Sequence, residues 1–216
     1  ITRKNREGGY AYARSLGPIR CHQELRDPKS GEPENVFWPA EAVAVDIILN
    51  SGMRHVSARW VDSGEGDEFV PDVDLMEYRK NSHPSATVGR KDCFLQIVDL
   101  PGREGRRVVG QRVGINKSGK PFVIPWVDPG IVDAFKLMQS LQNRYNPIVS
   151  SVKPIKRRTL EITRADPDLY PDIFPLLRDP NNDDHHAVSE YKVLAYWKDL
   201  LAYCQEDINK LLGRDF

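Results

Sequence analysis

Pro39-Ala40-Glu41-Ala42-Val43-Ala44-Val45-Asp46-Ile47-Ile48-Leu49-Asn50-Ser51-Gly52 is the stretch around which the rest of the chain is organised. Ala40, Val43, Ala44, Ile47 and Ile48 recur at three- and four-residue spacing, the pattern of a buried helix. Pro39 suits a first helical turn, and Gly52 suits the left-handed position that closes a helix. Met53 and Arg54 therefore leave from a fixed helix end. An arginine so anchored offers a planar fork of donors to two phosphate oxygens and can stabilise the extra charge of a phosphoryl-transfer transition state. Taken alone, the same residue also suits a surface ion pair.

Outward from this helix, residues 63–91 are acidic, polar and rich in turn formers, with one possible helical turn around Val73 to Tyr78, and read as an insertion. Three stretches with strand character follow: Cys93 to Leu100, Arg107 to Ile115 and Pro121 to Trp126. The last two are joined by Asn116-Lys117-Ser118-Gly119-Lys120, where Gly119 can supply a positive φ, so a two-stranded ribbon with lysines at its tip is expected. Pro129 and Gly130 open a helix whose apolar face carries Ile131, Phe135, Met138 and Leu141, ending near Tyr145. A last helix begins after Ser189 as N-cap, with Val188 and Val193 as its hydrophobic staple. Its stripe is Val193, Trp197, Leu200, Leu201, Cys204, Ile208 and Leu211. Residues 1–38 hold many breakers and little periodicity and read as an arm or linker. The fold class expected is α+β, a mainly helical domain over 39–216 with a small antiparallel sheet and an insertion at about 63–91.

The 216 residues balance 31 Lys plus Arg against 31 Asp plus Glu, so no global field advertises a nucleic-acid partner. The distribution is uneven. Arg103, Arg106, Arg107, Arg112, Lys117 and Lys120 face only Glu104 between 103 and 120, and Lys153, Lys156, Arg157, Arg158 and Arg164 face only Glu161 further on. Such runs form a basic face or simply a solvated one. Three distant cysteines, Cys21, Cys93 and Cys204, fit neither a disulfide framework nor a zinc site. No apolar run reaches the ~18 residues of a membrane span and no secretory signal is present, so a cytoplasmic location is expected.

Two segments together carry a resemblance. Ser51-Gly52-Met53-Arg54 with Trp60-Val61-Asp62, and Asn116-Lys117-Ser118-Gly119-Lys120 with Val123-Ile124-Pro125, resemble the arginine box and the lysine hairpin of the tyrosine recombinase, or phage integrase, family. Asp62-Ser63-Gly64-Glu65, Val123-Ile124-Pro125-Trp126, Arg144-Tyr145-Asn146-Pro147-Ile148 and Leu177-Arg178-Asp179-Pro180 are further similar to the divergent gamma-mobile-trio integrases of bacterial mobile elements. The resemblance implies a recombinase catalytic-core fold and a double-stranded DNA partner, with self-association on DNA and no metal or other cofactor. It implies that Arg54 is the first arginine of the phosphate clamp and Lys117 the general acid for the departing 5′ hydroxyl. Arg59, Arg106, Arg107, Arg112, Lys120, Lys156, Arg157 and Arg158 are the DNA contacts expected beside them.

The pattern also departs from that family. Ser57 stands three residues after Arg54, where the family has an acid, so a supporting hydrogen bond is expected to be altered or lost. No His-x-x-Arg occurs, and no tyrosine, Tyr191, Tyr196 and Tyr203 of the last helix included, is nominated as nucleophile. The chain is thus expected to be a catalytic-domain fragment, incomplete at its C-terminus and inactive alone. His185-His186 reads as part of a polar loop. Other readings are a non-catalytic DNA-binding module on the same fold, a protein-binding role, and a metal-dependent nuclease using Asp67, Glu68, Asp72, Asp74 and Glu77.

Overall fold

The computed structural model describes residues 21–154, 170–182 and 184–213. Among these, helices and short antiparallel strands come in separate runs, as expected for an α+β chain. Helix α1 (Ala40–Ser51) is the centre of the core: every residue from Ala40 to Ile47 is buried, Glu41 and Asp46 included. Burial on all sides is what a helix with apolar residues around its whole circumference requires. Helix α3 (Pro129–Tyr145) covers it with Ile131, Ala134, Phe135 and Met138, and helix α4 (Glu190–Leu212) with Val193, Tyr196 and Leu200. Gly52 closes α1 at φ 67°, its N–H donating to the Ile48 carbonyl at 3.0 Å. Pro39 sits one position earlier than expected, at the N-cap, where its carbonyl accepts from Val43 N.

The ends of the later helices fall where the sequence puts them. Asp128 accepts from Gly130 N at 2.7 Å to start α3, and Ser189 accepts from Lys192 N at 3.3 Å to start α4. Strands β5 (Leu95–Asp99), β6 (Arg107–Val113) and β7 (Phe122–Ile124) form one antiparallel sheet, with Ile97 opposite Val109 and Arg112 opposite Val123.

Two expectations need correction. Residues 21–38 do not behave as an arm: β1 (His22–Arg26) and β2 (Pro33–Phe37) form a hairpin that sends Leu25 and Val36 into the main core, followed by Trp38. Each strand buries a single residue, so no alternation is visible in the sequence. The breakers there build the hairpin turn, in which the Asp27 carboxylate accepts from Lys29 N and Ser30 N and Gly31 adopts φ 73°. Arg144 and Tyr145 at the end of α3 hold it through Asp27 at 2.5 Å and Glu34 at 2.8 Å.

In the insertion, the helical turn expected around Val73 to Tyr78 is instead a hairpin of β3 (Phe69–Asp72) and β4 (Glu77–Lys80). The Asp72 carboxylate accepts from Asp74 N and Leu75 N, a local turn that competes with helix. The head of the insertion is core, for Ser63 through Asp67 are buried. A Cβ at Gly66 would lie 2.1 Å from the Phe174 ring, so this close approach requires glycine.

Candidate nucleic-acid interface

Arg54 occupies the N-cap of the short helix α2 (His55–Arg59), with extended backbone at φ −64° and ψ 148°. Its carbonyl accepts from Ala58 N at 3.0 Å, while its side chain is exposed and makes no hydrogen bond or ion pair among the described residues. One turn further on, buried Ser57 donates its hydroxyl to the Ile115 carbonyl at 2.5 Å. The bond expected to be lost at this position is therefore replaced by another, from the α2 segment to the end of the β6 strand.

Ile115 is fixed from several sides. It is buried in a small cluster with Trp60, Tyr170 and Ile173, and the Tyr170 hydroxyl donates to the Asn116 carbonyl at 3.3 Å. Beyond this clamp Asn116 shapes the turn: its Oδ1 accepts from Ser118 N at 2.9 Å and its Nδ2 donates to the Lys120 carbonyl at 2.9 Å. Gly119 adopts φ 66°. Lys117 and Lys120 stand exposed on this rigid turn, their ammonium groups without a hydrogen bond or ion pair among the described residues. Two segments that are about 60 positions apart in sequence thus become neighbours, each presenting an uncommitted cation.

The other basic residues separate into groups. Arg106 and Arg107 are exposed at the opposite end of β6, roughly 20 Å away at ~3.3 Å per residue. Arg107 pairs with Asp99 at 3.2 Å and donates to the Met76 carbonyl. Arg112 is half-buried and bonded to Asp92 at 2.7 Å. Arg59, expected on DNA, is only 1% exposed and donates to the Val188 carbonyl at 2.8 Å, because α2 turns this face inward against the start of α4. Lys156, Arg157 and Arg158 lie outside the described residues.

Asp62, the acid of the Trp60-Val61-Asp62 signature, is structural. It accepts from Gly64 N at 2.7 Å, Phe174 N at 3.0 Å and Arg90 at 2.7 Å, and burial pushes its carboxyl up to about 7 despite these donors. Arg90 also reaches Asp67 and Asp92. Arg178 is wholly buried and forms a two-pronged pair with Glu65, at 2.6 and 3.1 Å, while also donating to the Asn146 and Pro175 carbonyls. Nothing in the spacing of Glu65 and Arg178 signals this pairing.

Four of the five acids of the nuclease reading are committed separately, Asp72 within its own turn. Asp67 accepts from Asp92 N and Cys93 N, Glu68 from Gly89 N, and Asp74 from Lys136. No group of three or more His, Cys, Asp or Glu side chains suited to a metal ion occurs among the described residues. In the His185-His186 loop, His185 meets the Asn146 amide oxygen at 3.1 Å and His186 packs edge-on against Trp60. No helix among the described residues is long and apolar enough to cross a membrane.

Compared with known proteins, residues 19–154 match the Integrase_2 family model, described as "Putative integrase". The match spans the β1–β2 hairpin, the arginine segment, the lysine turn and α3. No curated protein and no solved structure matches the chain.

Proposed function

The chain belongs to the Integrase_2 family, and on that premise we propose that it binds double-stranded DNA as part of a tyrosine-type recombinase, of the gamma-mobile-trio kind. In this reading the Arg54 guanidinium donates to the non-bridging oxygens of the reacting phosphate. Lys117 gives a proton to the 5′ oxygen as the bond from phosphorus breaks. The observation that carries it is the Ser57–Ile115 hydrogen bond, which sets the Arg54 segment against the root of the Lys117 turn. Both cations are exposed and, among the described residues, uncommitted, as suits phosphate-binding groups.

Arg106 and Lys120, also exposed and unpaired among the described residues, extend the phosphate track in this proposal, with Arg107 beside Arg106. Lys156, Arg157 and Arg158 are proposed contacts on the strength of their clustering alone. Self-association on DNA belongs to the same reading. With no His-x-x-Arg in these 216 residues and no tyrosine nominated, the nucleophile that attacks phosphorus is not assigned to them; their part is binding, charge stabilisation and protonation of the leaving 5′ oxygen.

Fluorescence anisotropy with a labelled duplex of about 30 base pairs across a salt series tests the reading. Affinity should fall steeply as salt rises, and Arg54→Ala with Lys117→Ala should reduce the logarithmic salt slope by about 2, roughly one unit for each phosphate that is no longer neutralised. An unchanged slope and affinity in the double variant would remove Arg54 and Lys117 from the interface.

A further inference from the structure

Among the described residues, the second half of α4 is only thinly covered. Val193, Tyr196 and Leu200 face the core, but from Leu201 onward no residue of the helix is buried. A helical overhang that meets the core, among the described residues, only through partly buried Tyr203 and Cys204 is marginal in water. It nonetheless exposes large apolar side chains: Leu201 is 49% exposed, Ile208 45%, Leu211 85% and Leu212 56%.

These residues belong to a second stripe, offset from the core-facing one. Leu194, Trp197, Leu201, Cys204, Ile208 and Leu211 alternate at spacings of three and four along the helix, the seam pattern of two helices packed side by side. At its N-terminal end the stripe runs into an open apolar groove between α1 and α4, walled by Val45, Ile48 and Leu49 on one side and Leu194 and Trp197 on the other. One end of the helix therefore offers an unfilled groove, the other an unburied ridge.

We propose that this seam is the interface between two copies of the chain, with the two α4 helices antiparallel. In that arrangement Leu211 of one copy lies level with Leu194 of the other, Ile208 with Trp197, and Leu201 with Cys204. Each ridge fills the partner's groove, so the surface is self-complementary under a two-fold axis, as a closed dimer requires. Complete burial of Leu49, Leu194, Leu201, Ile208, Leu211 and the adjoining Leu212 would remove at most roughly 600 Å² from each copy. The total of at most roughly 1,200 Å² reaches the lower limit of a specific interface. A parallel pairing would set ridge on ridge and leave both grooves open. The inference is independent of the DNA reading, since the seam involves neither Arg54 nor Lys117.

Sedimentation velocity over a concentration series, without DNA, is the first test. The unaltered chain should sediment as a dimer, and Leu201→Glu with Ile208→Glu as a monomer with unchanged circular dichroism, both side chains being half-exposed already. The register is tested by mild oxidation. Leu201→Cys should yield a disulfide-linked dimer through Cys204 of the other copy, whereas the unaltered chain should not cross-link. A monomer at every concentration would overturn the proposal, and so would cross-linking of the unaltered chain through Cys204 alone, which requires the parallel register.

Discussion

The Ser57 hydroxyl donates to the Ile115 carbonyl at 2.5 Å across 58 positions of sequence, and through this bond the helix that follows Arg54 is attached to the strand end that precedes Lys117. Both partners are buried, so the carbonyl has no access to water if the hydroxyl is removed. Ser57→Ala should therefore destabilise the fold by about 1–3 kcal/mol, the cost of an orphaned buried acceptor. Thermal unfolding measures that loss. On the proposed DNA reading the substitution should also weaken duplex binding at temperatures where the variant is folded. Lys117→Ala added to Ser57→Ala should then cost much less affinity than Lys117→Ala alone, because the lysine is already misplaced.

Arg106 and Arg112 lie on one basic run but should respond differently. Arg106 is exposed, so Arg106→Ala should leave the melting temperature within the narrow range of surface substitutions and lower the salt slope of DNA binding by about 1. Arg112 is half-buried and bonded to Asp92, which in turn meets Arg90. Arg112→Ala should lower stability by about 1–3 kcal/mol and leave the salt slope unchanged. Melting curves and anisotropy on the two variants separate the outcomes; equal effects on the slope would place Arg112 at the interface as well.

This contrast marks what could be read in the sequence. Helix α1, its Gly52 cap, the starts of α3 and α4 and the three-stranded sheet were legible because each has a local signal, a period or a capping residue. Arg54 and Lys117 were legible as candidates for the same reason, each standing at a defined turn. Arg59 departs from the expected exposure because whether a side chain on a five-residue helix faces inward depends on the later α4, which no local pattern reports. The β1–β2 hairpin was hidden because two short strands with one buried residue each leave no alternation to detect. Ser57–Ile115 and Glu65–Arg178 are long-range pairs, set by packing alone.

The Glu65–Arg178 pair is a strut between the head of the insertion and the segment before α4, with the Arg178 side chain fully buried. Removing one charge leaves the other desolvated without a partner. Glu65→Gln and Arg178→Met should each cost about 3–5 kcal/mol. The double variant should cost clearly less than the sum of the two, because no lone charge remains. Denaturant melts of the three variants check this; strict additivity would mean that the two side chains do not interact in solution.

Stability should rise on mild acidification, and Glu41 is the group to examine. It lies in the first turn of α1, 9% exposed, and burial raises its carboxyl above the ordinary value of 4.5. The folded chain therefore keeps a proton that the unfolded chain releases once pH exceeds about 4.5. Raising pH through that window favours unfolding, and the buried Asp62 and Asp67, whose carboxyls are raised chiefly by desolvation, act in the same direction. Asp27 acts oppositely, held down to about 2 by Arg144, so its contribution is lost only as pH falls below the ordinary 3.8 towards 2, outside the window. The melting temperature should thus be higher at pH 5.5 than at pH 7.5. Glu41→Gln removes the charge at the same volume. It should raise the melting temperature at pH 7.5 and reduce the difference between the two pH values. If Glu41→Gln melts lower at pH 7.5 with the pH difference undiminished, the buried carboxyl is ionised and stabilised in the fold, and the assigned direction is wrong.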